Sequence, residues 1–162
     1  MVMKLDDLVN AMRYAFFRSG RLYVDISSEV YKFYVEISYF KDGMSNPHIE
    51  RIVYLPDSPH LSVDSEWSNF PQNIKGRSIE WIAPSFYDSV VEAFLPEITN
   101  EFVKTKLESV PKFSDEFKRL FDIYVEDDYE YGEGKKFYEF KNEYWHETAR
   151  KFCDEHGIEY EE

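Results

Sequence analysis

The sequence from residue 31 to residue 39 is YKFYVEISY, and this stretch decides the fold class. Apolar or aromatic residues occupy every second position, and mostly polar residues occupy the positions between them. The alternating set is Tyr31, Phe33, Val35, Ile37 and Tyr39. Side chains that repeat with a period of two lie on one face of a β-strand. The stretch therefore predicts a strand with one largely apolar and one mostly polar face.

Further strands are predicted on both sides of this one. Residues 22–26 show the same alternation, and residues 48–55 form another strand-like run that Pro56 ends. Between the strands, residues 41–47 read KDGMSNP, whose Asp-Gly and Asn-Pro steps are typical of a turn. Residues 78–82 predict a fourth short strand. The connection 57–77 is rich in Ser, Pro, Asn and Asp, which indicates a functional loop or a short edge strand.

Helical spacing of apolar residues begins at Leu5 and recurs after the strands. The predicted helical segments are 5–19, 85–95, a further piece at 98–107 after a kink at Pro96, 114–121 and 135–156. Ser85 and Ser114 are the expected N-caps, and residues 123–125 are predicted to be extended. The predicted fold class is α+β in a single domain of residues 1–162. It comprises an N-terminal helix, an antiparallel meander of about four strands, and two to four C-terminal helices packed on one face of the sheet.

Charge and composition exclude several classes of partner. The chain carries a net charge of −13, from 32 acidic and 19 basic residues among 162. This charge repels polyanions, so direct binding to nucleic acid or to an anionic membrane is not expected. No stretch has the length and apolarity of a membrane span, and the N-terminal segment lacks the apolar region of a signal peptide. With Cys153 as its single cysteine, the chain is expected to be a cytoplasmic protein.

Motifs for catalysis, cofactors and metals are absent from the sequence. The GEGK run at residues 132–135 lacks the spacing of a phosphate-binding loop. Cys153 and His156 lie three residues apart on the last predicted helix, where a thiol is expected to be a core residue. The best local cluster for a metal is Glu143, His146 and Glu147. It holds one Glu-x-x-His pair, whereas a carboxylate-bridged two-metal site needs two. The prediction is a protein that is not an enzyme and holds no cofactor or metal.

The C-terminal third, residues 111–162, carries most of the charge imbalance. It holds 16 acidic and 8 basic residues and 13 of the 30 aromatic residues. Within it, carboxylates alternate with tyrosines, a pattern that favours recognition of Arg and Lys because a carboxylate accepts a guanidinium while a ring stacks on it. The predicted partner-binding residues are Tyr124, Glu126, Asp127, Asp128, Tyr129, Glu130, Tyr131 and Glu133. The alternative is a solvated helix face with a frayed acidic tail, Glu159 to Glu162.

In size and charge the chain resembles toxin-neutralising immunity proteins and phage-encoded anti-defence inhibitors of nucleases, and no residues are carried over from that resemblance. It implies a protein-binding inhibitor that blocks a basic site, such as a nucleic-acid-binding one, on a nuclease, a toxin or another partner. Two alternatives remain. One is a small acidic chaperone or adaptor, similar to secretion chaperones, for which a homodimer is expected. The other is an enzyme whose site assembles from distant residues, with His60, Trp67, Glu80 and Trp81 as candidates.

Overall fold

A computed structural model describes residues 2–18, 20–25, 31–43, 45–55, 58–61, 78–79 and 83–162. The contacts within the chain divide it into two units. The first unit contains residues 1–83 and 146–162, and the second contains residues 84–145. The fold is mixed helix and sheet, which confirms the α+β class. The single domain over residues 1–162 stays a prediction, as does the packing of the C-terminal helices on the sheet.

An antiparallel sheet forms the centre of the first unit. Its strands are β2 (Arg21–Asp25), β3 (Lys32–Tyr39), β4 (His48–Leu55), β5 (Ser58–Leu61) and β6 (Ser78–Ile79). They lie in the order β5-β4-β3-β2-β6. The meander β2-β3-β4 is therefore confirmed, and β5 is a short edge strand, which was one of the two alternatives for the connection 57–77. Ser78–Ile79 confirms the start of the fourth predicted strand, while residues 80–82 lie outside the described part.

The alternation in residues 31–39 gives β3 its buried face. Leu22, Val35 and Ile52 are cross-strand partners on neighbouring strands, and all three side chains are buried. On the other face, Glu36 of β3 forms an ion pair with Arg51 of β4, with Nε 3.2 Å from Oε2. Tyr34 departs from the simple alternation because it lies on this second face and is nevertheless buried.

The N-terminal helix and the C-terminus complete the first unit. Helix α1 (Leu5–Phe17) follows the two-residue strand β1 (Met3–Lys4) and contacts β2 and β3. Strand β7 (Tyr160–Glu161) pairs in parallel with β1. The acidic tail is therefore ordered rather than frayed, and both oxygens of the Glu162 carboxylate accept hydrogen bonds from the Arg150 guanidinium.

The remaining helices follow one another along the chain. They are α2 (Ala83–Phe94), a 3-10 turn (Leu95–Glu97), α3 (Glu101–Glu108), α4 (Asp115–Phe121), a π-helical turn (Asp122–Glu126) and α5 (Glu133–His156). Helix α5 contributes its residues up to Trp145 to the second unit and the rest to the first. Among the described residues, no helix has both the length and the apolarity needed to cross a membrane.

Several predicted boundaries were wrong. Helix α2 begins at Ala83, so Ser85 lies inside the helix rather than at its N-cap. The break at Pro96 is wider than a kink, because the chain leaves helical geometry at Ile98 and α3 has its own N-cap, Asn100. Helix α5 begins at Glu133, two residues earlier than predicted. The Ser114 cap of α4 is confirmed, since its hydroxyl accepts a hydrogen bond from the Phe117 amide.

The prediction that residues 123–125 are extended was also wrong. The segment has the β-branched and aromatic residues that strands favour, yet it forms the π-helical turn. Its Val125 is fully buried in an apolar core built around Phe94, Phe121 and Phe137. Burial in that core decides the local conformation, since strand propensity depends strongly on context.

Candidate partner-binding surface

The loop between the π-helical turn and α5 carries most of the predicted partner-binding residues, and Asp128 fixes its backbone. One oxygen of the Asp128 carboxylate accepts hydrogen bonds from the amides of Glu130 and Tyr131, both at 2.7 Å. The other oxygen accepts one from the amide of Glu133, the first residue of α5, at 2.9 Å. Burial raises the pKa of this carboxyl, but these backbone N–H groups outweigh it and hold the pKa below its usual value. Asp128 is therefore committed to the fold of the loop.

Two glycines allow the loop to join α5 at this place. Gly132 has a φ of 76°, a left-handed conformation that favours glycine. A Cβ on Gly134 would lie 2.7 Å from the carbonyl oxygen of Asp128, so the first turn of α5 packs directly against the loop backbone. The GEGK run therefore serves a tight helix start.

Glu133 is also committed to the interior, because its side chain is only 1% exposed. Its Oε1 accepts hydrogen bonds from the amides of Thr99 and Asn100 at 3.1 and 2.9 Å. Its Oε2 lies 3.0 Å from the ammonium of Lys136, which also donates to the Glu97 carbonyl. Glu133 therefore ties the start of α5 to the segment before α3, and its carboxylate does not belong to the exposed surface.

Glu126 belongs to a polar cluster at the surface, in which its side chain is 29% exposed. Its carboxylate lies 3.7 Å from the Lys141 ammonium and accepts a hydrogen bond from the Tyr87 hydroxyl at 3.4 Å. Asp122 accepts from the same hydroxyl. Burial, followed by hydrogen bonding to Asp122, raises the pKa of Glu126, although Lys141 acts in the opposite direction. Burial and the two carboxylates likewise raise the pKa of Tyr87.

Three of the predicted residues have exposed side chains at the tip of the loop: Asp127, Tyr129 and Glu130. Tyr129 is fully exposed, with a relative accessibility of 101%. Within the described part of the chain, neither the Asp127 nor the Glu130 carboxylate forms an ion pair. The loop therefore presents one tyrosine ring and two available carboxylates on a backbone that Asp128 holds in place.

The other two predicted tyrosines form a surface cluster with Phe102 of α3. The Phe102 ring stacks on Tyr131 with centroids 5.5 Å apart and meets Tyr124 edge-on at the same separation. Phe102 is 46% exposed, and it is not among the residues predicted to bind a partner. The buried positions of α3 are Val103 and Leu107, and their spacing of four places Phe102 beside that face. This spacing was the signal that could have identified Phe102 as a surface ring.

The structure also places the candidate thiol, the candidate metal ligands and one of the candidate enzyme residues. Cys153 is buried, and burial raises the pKa of its thiol to about 11, so it is a core residue as predicted. His146 lies with Nε2 2.9 Å from an Asp6 carboxylate oxygen. No three His, Cys, Asp or Glu side chains come together as a metal site in the described ranges. Of the candidate enzyme residues, His60 lies on β5, and Trp67, Glu80 and Trp81 lie outside the described residues.

A cavity of about 340 Å³ lies in the second unit. Its apolar lining comprises Leu95, Ile98, Leu107, Val110 and Phe117. Lys104 and Glu108, four residues apart on α3, also line it, so the polar groups at its wall carry both signs of charge. The volume is at the low end of the range of about 300–1,000 Å³ that is usual for small-ligand sites.

No protein-family model matches this chain, and neither a curated protein nor a solved structure matches it. The function of this chain is therefore inferred from its own geometry.

Proposed function

We propose that this chain is a non-enzymatic, cytoplasmic binding protein that blocks a basic site on a partner protein, as inhibitors and immunity proteins do. The observation that carries the proposal is the loop tip formed by Asp127, Tyr129 and Glu130. It combines a fully exposed aromatic ring with two carboxylates that are not engaged within the described part of the chain.

The fixed backbone of the loop favours binding. Ordering a flexible loop on association costs free energy, and a loop that is already held in one conformation avoids most of that cost. Asp128 supplies this order through its hydrogen bonds to three backbone amides. The net charge of −13 would accelerate the encounter with a basic protein, because complementary charge acts mainly on the association rate. The exposed Tyr129 ring would then hold the partner, since aromatic side chains often dominate binding energy.

The test is capture of proteins from a lysate of the source organism on the purified chain at low and at high salt, read by mass spectrometry. A basic protein retained at low salt and released at high salt supports the proposal. A variant with Asp127→Asn and Glu130→Gln should retain much less of it. The matched control is Glu147→Gln with Glu155→Gln, which removes two exposed carboxylates of α5 and should leave retention unchanged. Retention that both variants reduce equally would contradict the assignment to the loop.

The second candidate is a small acidic chaperone or adaptor, and the apolar cavity favours it. A protein of this class would bind an extended apolar segment with little dependence on salt and is expected to be a homodimer. Val110 is half-buried at the cavity, so Val110→Trp should fill the cavity and abolish such binding. The same variant should leave capture of a basic partner by the loop unchanged.

A further inference from the structure

We infer that Phe102, Tyr124 and Tyr131, here called the aromatic cluster, form a stacking surface for arginine side chains of the partner. This inference rests on the proposed function and names the side chain that the acidic surface selects. The cluster brings together one residue of α3 with two residues that flank the loop tip along the chain. All three rings are within 6.1 Å of one another, measured between centroids.

A cation already lies against this cluster. The ammonium of Lys106 is 5.4 Å from the centroid of the Phe102 ring, which is within the usual range of about 6 Å for a cation–π contact. Lys106 is exposed and lies one turn further along α3. Its long side chain is flexible and can leave the ring at little cost, since an ammonium is strongly hydrated. The Phe102 ring therefore already contacts a cation, and a cation of the partner can replace Lys106 there.

Arginine fits this surface better than lysine for two reasons. A guanidinium is planar and less strongly hydrated, so it stacks on aromatic rings more favourably than an ammonium does. It also presents a fork of donors that a carboxylate accepts with two hydrogen bonds. Asp127 and Glu130, which lie between Tyr124 and Tyr131 along the chain, are the carboxylates available to supply these acceptors. Stacking and bidentate hydrogen bonding together should distinguish the two cations, although both carry the same charge.

The experiment measures binding of two fluorescent peptides of equal length, one with arginines and one with lysines spaced by Gly and Ser, by fluorescence anisotropy. The parent protein should bind the arginine peptide about three- to tenfold more tightly than the lysine peptide. Phe102→Ala should weaken the arginine peptide by about three- to fivefold and remove the preference. The control is Tyr138→Ala, an exposed ring of α5 outside the cluster, which should change neither peptide.

Equal affinity of the parent for the two peptides would overturn the inference, and so would equal effects of the two alanine variants. A urea unfolding curve for each variant distinguishes loss of binding from loss of folding, because both rings are exposed and their removal should cost little stability. A different result would contradict the proposed function itself. In that case, neutralising Asp127 and Glu130 would change neither peptide binding nor the retention of a basic protein from the lysate. If that retention depends on the loop but not on Phe102, the proposed function stands and the aromatic cluster is not the arginine site.

Discussion

Replacing Glu133 with Ala should destabilise the protein by about 3 kcal/mol. The substitution removes the acceptor of the Thr99 and Asn100 amides. A hydrogen bond to a charged acceptor contributes about 1.5–3 kcal/mol. The two amides belong to a partly exposed segment, so hydrogen bonds to water offset part of the lost free energy. The Lys136 side chain is 39% exposed and returns to water cheaply, so the two amide bonds determine the magnitude.

Urea unfolding followed by far-ultraviolet circular dichroism measures this effect. Glu133→Gln keeps an oxygen acceptor for both amides and should lose only about 1 kcal/mol. Glu139→Ala is the matched control, because Glu139 lies on the same helix in an exposed pair with Lys135 at 3.8 Å and such pairs contribute about 0.3–0.5 kcal/mol. If Glu133→Ala is no more destabilising than Glu139→Ala, the buried role of Glu133 is refuted.

Three further predictions concern stability and reactivity. The folded-state pKa of Asp128 is lowered, so its contribution is present above the unfolded-state value of about 3.9 and is lost as the pH falls through the folded value. Asp128→Ala should therefore cost about 1 kcal/mol at pH 7, and chemical denaturation should show the difference from the parent closing in acid. The Cys153 thiol should react at least about a hundredfold more slowly with Ellman's reagent at pH 8 in the native protein than in urea, and equal rates would contradict its burial. Removing residues 159–162 deletes the partners of Met3 and Arg150 and should lower stability by about 1–2 kcal/mol, whereas an unchanged thermal melting temperature would show that the tail does not stabilise the fold.

The regular elements were predictable because their signals are local. Alternation over residues 31–39 identified β3, and the apolar spacing that begins at Leu5 identified α1. The predicted end of the last helix at residue 156 is confirmed, and Gly157 follows it with a φ of 63°. The π-helical turn was not predictable, because its conformation depends on burial of Val125 among aromatic residues that are distant in sequence. Strand propensity at residues 123–125 carried no information about that core.

The candidate surface also depends on contacts between residues that are distant in sequence, which local patterns do not reveal. The sequence pattern indicates an acidic and aromatic segment, but it does not distinguish the exposed carboxylates of that segment from the buried one. The contacts of Glu133 lie 33 and 34 residues away along the chain, so no local pattern could have shown that this side chain is buried. Phe102 joins Tyr124 and Tyr131 through the same tertiary arrangement. The position of a residue in a charged run therefore predicts the chemistry of its side chain, but it does not predict whether that side chain is exposed.

The structural contacts of the acidic residues determine which carboxylates the loop can offer to a partner. Five carboxylates occur between residues 126 and 133. Asp128 and Glu133 are committed to backbone amides, and Glu126 is paired with Lys141. Asp127 and Glu130 remain available for direct pairing with the partner, so release of the partner by salt should depend mainly on these two carboxylates. The two carboxylates and the rings should then act on different steps: substitution of Tyr129 should act on the dissociation rate, whereas substitution of Asp127 should act on the association rate. Surface plasmon resonance with the captured partner measures the two rates separately. If substitution of Tyr129 slowed association and left dissociation unchanged, this assignment of the two rates would be contradicted.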